Sequence, residues 1–293
     1  MAKFILSCES TVDLPYSYVE GRGIPVIFYT YTADGVEHVD DMGRDPEALP
    51  KFYEALSSGV MPTTSQLNEF NYTEFFEEQL TRGDLLHIVF GTGMTQSYQN
   101  ACLAAEEMHR LHPERKIVVI DSLCSSSGYG MLVDLAADMR DRGEELDAVA
   151  AWVNENRHKI HHQFYSTELS HYRRSGRMSG ATAMIATILG ICPIMRLDAA
   201  GKIVAYSKAR GKQNALKVTL DEMERHAIGG ANYDGKCFIC HSNCLEDALR
   251  TRDALKERFT KVGDVKICDI GTIIASHCGP GTVAVFFLGD ERE

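Results

Sequence analysis

The residues best suited to chemistry in this chain are short clusters of hydroxyls and one isolated imidazole. The stretch ASHCGPGTVAVFFLG (275–289) sets His277 beside a Gly-Pro-Gly corner before an apolar run. A lone histidine is more often a satisfied core or surface residue than a site residue, so its meaning depends on what else converges on it. LLHIVFGTGMTQSYQNA reads as strand, small polar loop and helix. A loop of that kind points backbone N–H groups at one spot near the positive end of a helix dipole, which suits an anion. Gly91 and Gly93 permit close backbone approach, and Thr92, Thr95 and Ser97 offer hydroxyls, although Thr95 is equally suited to capping the helix. MPTTSQ supplies Thr63, Thr64 and Ser65 in a segment that its proline biases toward a loop, with capping of the helix NEFNYTEFFEEQL as the alternative. DSLCSSSGYG follows the strand KIVVI, where parallel-sheet proteins place their site loops; Asp121 and Ser122 read as groups that fix that loop. YRRSGRMSG holds Arg174 and Arg177 three apart around a glycine, which taken alone is a solvated basic turn.

Other chemistries lack their signatures. No G-x-x-x-x-G-K-[ST] accompanies the glycine loop, and no G-x-S-x-G elbow occurs. CFICHSNC has the C-x-x-C-H spacing of a haem attachment site, and Cys237, Cys240, His241 and Cys244 form a possible zinc set. KCFIC also reads as a buried alternating strand, which would hold Cys237 and Cys240 in extended backbone instead of around one ion, so no metal is expected there. RHKIHHQF places His158, His161 and His162 at helical spacing without the carboxylate of a zinc protease, and reads as a solvated helix end.

The elements that must position these groups alternate along the chain. FILSC, IPVIFYTYT, LLHIVF and KIVVID are short apolar runs, separated by segments such as TQSYQNACLAAEEMHRL with apolar residues three and four apart. This is α/β architecture with a largely parallel sheet in the first half. Later, CPIMRLD and KIVAYS flank AAG as a hairpin, and CFICHS, VKICDI and TVAVFFLG follow, so the second sheet is expected to be mixed. The change of style predicts two domains, residues 1–160 and 161–293, with a ligand between them. A length of 293 residues accommodates two such units. A net charge of −11 argues against gripping nucleic acid or anionic membrane. MAKFILSCES carries too short an apolar run for a secretory signal, and no stretch is long enough to span a bilayer. Together with nine cysteines in mostly apolar runs, this predicts a cytoplasmic protein with reduced thiols.

Taken in order, SCESTVDLP, PTTSQ, GTGMTQSYQNA, VIDSLCSSSGYG, LSHYRRSGRMSG and HCGPGTVAV resemble the successive hallmarks of the DegV family, the fatty-acid-binding subunits of bacterial fatty acid kinase. The resemblance covers nearly the whole chain and implies a two-domain α/β fold. It implies that the carboxylate of a long-chain fatty acid is held by Thr64 and Ser65, by Thr95 with Gly93, and by His277 and Arg174, while Arg177 faces the kinase partner. It also implies a carrier without catalytic residues, metal or cofactor beyond the bound lipid, and without a membrane span, transient membrane contact being compatible with the role. Departures from the family pattern are Glu9 for Asp, Thr95 and Gln96 for Ser and Gly, Ser175 for Gly, and Cys278 for Thr.

The physics of such a site divides in two. Burying about fourteen methylenes of a C16 tail at about 0.8 kcal/mol each supplies on the order of 11 kcal/mol before association costs. Hydrogen bonds to the charged head group return about 1.5–3 kcal/mol each and decide which end faces out. The alternative reading is a hydrolase or acyltransferase on acyl substrates, with Thr95 or Ser65 as nucleophile, His277 as base and Asp121 or Glu9 orienting the ring.

Overall fold

The computed structural model describes residues 3–178 and 190–293. Strands β1 (Ile5–Glu9), β6 (Leu85–Val89) and β7 (Ile117–Asp121) are almost uninterrupted apolar runs, as expected of a parallel sheet covered on both faces. With the short β2 (Val26–Ile27) they form a wholly parallel sheet in the order β2-β1-β6-β7. A second sheet begins at β8 (Ile160–Ser166) and continues through β9 (Ile191–Leu197), β10 (Ile203–Arg210), β11 (Cys237–His241), β12 (Val265–Asp269) and β13 (Thr282–Leu288). Its order is β10-β9-β8-β13-β11-β12, antiparallel except for the β11/β12 pair. The mixed sheet therefore starts where the sequence changes style.

The hairpin at AAG is closed by Asp198, whose Oδ1 accepts the N–H groups of Ala200 and Lys202, both at 2.9 Å. Gly201, at φ 72°, takes the left-handed position of that turn. Helices fill the intervals: α1 (Tyr16–Gly21), α2 (Ala48–Ser57), α3 (Glu69–Leu80), α4 (Ser97–Leu111), α5 (Ser126–Asp141), α6 (Leu146–Asn156), α7 (Ser170–Ser175), α8 (Lys212–His226), α9 (Leu245–Arg258) and α10 (Thr272–Cys278). Helix α3 is started by Asn68 in a reciprocal capping box with Asn71, so Thr63, Thr64 and Ser65 are not its cap. They form β5 (Thr63–Ser65), which joins β3 (Thr30–Ala33) and β4 (Val36–Val39) in a small antiparallel sheet ordered β4-β3-β5. The expected loop is thus an edge strand.

Helix α5 is the common layer of the molecule. It is buried along nearly its whole length and packs on β1 as well as on β8, β11 and β13. Gly128 makes that possible, because a Cβ there would lie 2.3 Å from His162 Nε2 and 2.6 Å from Phe286. Beside it, Asp134 is fully buried and accepts from Arg22 Nη1 and Lys236 Nζ, each at 2.6 Å, and from the Tyr18 hydroxyl. This ion cluster ties α1, α5 and the start of β11 together. One apolar core runs through both halves, and a second lies on the far side of the mixed sheet.

Candidate functional site

The small sheet and α10 bring the first pair together. Tyr31 pairs with Thr64 across β3 and β5, which presents Thr64 Oγ1 to His277 Nε2 at 2.8 Å. His277 occupies the last turn of α10, whose end is fixed by Gly279 at φ 67°. A Cβ on Gly279 would lie 2.4 Å from the His171 ring, so the corner glycine lets α10 close on α7. Burial, then the guanidinium charges of Arg177 and Arg174, push the His277 imidazole down to about 4. It is therefore neutral near pH 7 and holds its partner as a neutral hydrogen-bonding group.

The loop after β6 supplies the opposite wall. It is folded back by Met94 and Thr95 N–H bonds to the Gly91 carbonyl, at 2.9 and 3.3 Å. Asp121 locks it from behind, accepting from Thr92 N at 3.1 Å, Thr92 Oγ1 at 2.6 Å and Leu123 N at 3.0 Å. Thr95 Oγ1 lies 2.9 Å from Ser97 Oγ and accepts the Ser97 N–H at 3.3 Å, one residue ahead of the N-cap position, Gln96. Behind it, the Tyr29 hydroxyl lies 2.9 Å from Ser97 Oγ and 3.2 Å from Glu9 Oε2. Glu9 is fully buried and also accepts from Phe90 N at 3.0 Å and from the Tyr72 hydroxyl. Gly93 is demanded by packing: a Cβ there would sit 2.2 Å from the Gly201 carbonyl oxygen, where the β9–β10 turn meets the loop.

Two adjoining cavities open between these walls. The inner one is a partly open pocket of about 70 Å³, lined chiefly by apolar side chains of both halves, among them Phe90, Phe164, Leu197, Ile203, Ile274 and Phe286. The outer one is a solvent-open cleft of about 730 Å³ whose wall includes Thr64, Ser65, Gly93, Thr95 and His277. Phe90, Met94, Arg177 and His277 line both, so the imidazole and one guanidinium stand where the greasy space meets the polar one. Arg174 is elsewhere: it is exposed on α7, with its guanidinium against Met61 Sδ and 3.2 Å from His171 Nδ1, and it lines neither cavity. Sequence reasoning did not single out Lys202 or Tyr29, which also line the cleft, because the turn carrying Lys202 is brought in from the second sheet. Cys278 and Ser175, two of the departures, line the inner cavity, and Gln96 lines the cleft. The Ser179-Gly180 end of the basic motif lies outside the described residues.

The remaining sequence candidates are placed as follows. The hydroxyl paired with His277 belongs to Thr64, while Thr95 is turned to Ser97; Asp121 is taken up by its loop and Glu9 by two tyrosines and a backbone N–H. Those carboxylates thus have other partners, and the hydrolase arrangement is not assembled. Strand β11 puts Cys237 in the outer core and Cys240 in the inner one, on opposite faces, so CFICHSNC does not gather its sulfurs around one point. The helical spacing of the histidine motif is also superseded. His158 lies in a short turn and His161 and His162 are successive residues of β8, facing opposite sides of the sheet.

The fold and site together define an α/β protein built around an apolar chamber with a polar mouth. The chain belongs to the DegV family: the family model described as "Uncharacterised protein, DegV family" matches residues 3–290. A DegV domain-containing protein of Clostridium perfringens is 36% identical over 295 residues, covering 100% of both chains. A DegV family protein from Thermus thermophilus, whose structure is described as fatty acid binding, is similar with a TM-score of 0.87 at 25% identity, over 98% of this chain and 100% of that one. The Streptococcus pneumoniae fatty acid kinase B3 protein loaded with linoleic acid has a TM-score of 0.84 at 18% identity, over 98% and 100%.

Proposed function

We propose that this protein binds one long-chain fatty acid, tail in the inner cavity and carboxylate at its mouth, and presents that carboxylate to a separate fatty acid kinase in the cytoplasm. The observation that carries this reading is the junction of an apolar chamber with the Thr64–His277 pair and the Arg177 guanidinium. The tail supplies affinity and the mouth supplies orientation. In the bound state His277 Nε2–H donates to Thr64 Oγ1, which frees the threonine proton for the ligand. Ser65 lies beside Thr64 on β5, and Thr95 with the Gly93 backbone forms the facing wall. Arg177 is the cation nearest the head group, and Arg174 on the outer face of α7 is available to the kinase. Residues 1–160 and 161–293 act as the two halves that close over the lipid. The kinase supplies ATP chemistry and the chain supplies none, so no cofactor beyond the lipid takes part. Transient contact with a membrane is where the lipid would be loaded.

Organic extraction of the purified chain followed by mass spectrometry tests the binding claim. A roughly equimolar saturated or monounsaturated fatty acid is expected, with less in a Thr95→Val, His277→Ala variant; equal occupancy of the two counts against the assigned mouth. For presentation, acyl phosphate should form only when chain and kinase are combined with ATP. Turnover by this chain alone would overturn the carrier role.

A further inference from the structure

The strand that lines the acyl chamber with His162 turns His161 to the opposite side of the mixed sheet, against Phe287, ring centroids 5.0 Å apart and 10° from parallel. His226, the last residue of α8, stacks on the outer face of the same imidazole at 5.0 Å and 23°. Past the end of β13 the chain brings in Asp290. Its Oδ1 lies 3.0 Å from His161 Nε2 and 3.0 Å from His226 Nδ1, with Oδ2 3.2 Å from the latter. The Asp290 carbonyl oxygen is a further acceptor 3.0 Å from His161 Nε2. One ligand atom from each of the three residues lies within 4.8 Å of the others.

The backbone is fitted to this meeting point. A Cβ on Gly289 would lie 2.7 Å from His161 Cδ2, 3.0 Å from its Nε2 and 2.5 Å from the His226 carbonyl oxygen, so a glycine is required for the segment to approach both rings. Gly289 N donates to Lys159 O at 2.8 Å and Asp290 N to His226 O at 2.9 Å, which fixes where the carboxylate emerges. The far nitrogen of His226 is 3.5 Å from Glu222 Oε2. That puts a carboxylate on the far side of the ring, where the outer partner of a metal-binding imidazole usually sits, while Nδ1 faces Asp290.

Two neutral imidazoles and one carboxylate are the donor set of the zinc class, with a fourth position left to water. Bonds of about 2.0–2.1 Å in a tetrahedron put ligand atoms about 3.3 Å apart, close to the 3.0 Å that separates Asp290 Oδ1 from each imidazole nitrogen. Of the charged groups facing the cluster, Glu222 and Asp290 favour a dication and the Arg292 guanidinium opposes one.

We propose that His161, His226 and Asp290 form a binding site for a divalent cation of the zinc class, on the side of the mixed sheet away from the acyl chamber, where it clamps the C-terminal segment to β8 and α8. The full chain, freed of metal with a chelator, is titrated with zinc chloride by calorimetry and with cobalt chloride by visible absorption. One equivalent should bind with a rise in thermal midpoint, and cobalt should give weak d–d bands of a nitrogen and oxygen site. Asp290→Asn and His226→Ala should each weaken zinc binding by roughly 10- to 100-fold, with extracted fatty acid and metal-free stability close to the parent. Absence of binding, unchanged affinity in both variants, or an intense near-ultraviolet thiolate band placing the ion on cysteines would overturn the proposal. The cobalt spectrum of the parent decides the matter even if a variant folds poorly.

Discussion

Replacing Thr64 by valine isolates the contribution of the mouth from that of the chamber. The side chains are nearly isosteric, and the strand pairing of β5 through Tyr31 is made by backbone groups that the substitution leaves alone. What is lost is the hydroxyl 2.8 Å from His277 Nε2, the group that the proposed function makes a donor to the carboxylate. A hydrogen bond to a charged group is worth about 1.5–3 kcal/mol, which converts to roughly 10- to 150-fold in Kd. The apolar contribution of the chamber is untouched, so a fatty alcohol of the same length should bind parent and variant alike. The assay is displacement of a fluorescent fatty acid by palmitate and by hexadecanol, run on both proteins after delipidation. Thr64→Val should weaken palmitate by that factor and leave hexadecanol within about twofold. Ser65→Ala, whose side chain points away from Thr64 along the strand, should cost less. Equal losses for acid and alcohol, or none for either, would refute the assignment of Thr64 to the head group.

Acidification reads out His277. Its folded pKa near 4 lies below the ordinary 6.5, so the stability gained from a neutral ring is complete above about 6.5 and is lost as pH falls through 4. Asp40, which burial raises to about 6, works in the opposite sense, so the parent is compared with His277→Asn. Between about pH 7.5 and 5 the parent's urea midpoint should fall more than the variant's. Gly93→Ala drives a methyl into the Gly201 carbonyl at 2.2 Å, and should cost about 1–3 kcal/mol by urea denaturation as the β9–β10 turn is pushed off the loop. Asp134→Ala removes the buried one of two carboxylates shared by Arg22 and Lys236, leaving Asp138, and should destabilise by about 1–3 kcal/mol, while palmitate affinity, extrapolated to the folded fraction, stays unchanged. Glu9→Gln places an amide donor among three donors and should cost about 1–3 kcal/mol of stability together with a measurable loss of acid affinity.

How far the sequence spoke for itself depended on the range of the interactions involved. The parallel strands were legible because ILSCE, LLHIV and IVVID are buried on both faces and carry their burial in their composition. Thr63–Ser65 read as a loop because a three-residue polar edge strand has no apolar alternation, and its pairing partner β3 lies some thirty residues away. Arg174 and Arg177 taken alone read as one solvated basic turn, and the resemblance set Arg174 at the head group and Arg177 toward the partner. Helix α7 ends at Ser175, and Gly176 at φ 68° turns the chain so that Arg177 enters the cleft while Arg174 stays outside. The histidine motif suffered the reverse error: its helical spacing is cut by β8, where alternation sends His161 and His162 to opposite sides. The carboxylate missing from that motif arrives from Asp290, which local reading had no means of placing.

The loop threonine gains its polarity from a residue it does not touch. Three donors converge on Glu9, from Phe90 N, Tyr72 and Tyr29, so this side chain acts only as an acceptor. Tyr29 has a single proton, and giving it to Glu9 leaves its oxygen to accept from Ser97 Oγ at 2.9 Å. Ser97 has then spent its hydroxyl proton, and its N–H is already directed at Thr95 Oγ1. The Thr95 proton is left with Ser97 Oγ at 2.9 Å or an acceptor in the cleft, so a carboxylate arriving there meets an oriented donor rather than a lone pair. Glu9 in place of the shorter aspartate keeps this chain of hydrogen bonds connected to the core, because both of its oxygens are engaged behind the loop. The direction of this hydrogen-bond chain is thus set at the end of β1, three hydroxyls back from the cleft, so the buried Glu9 carboxylate is compatible with a donor facing the cleft.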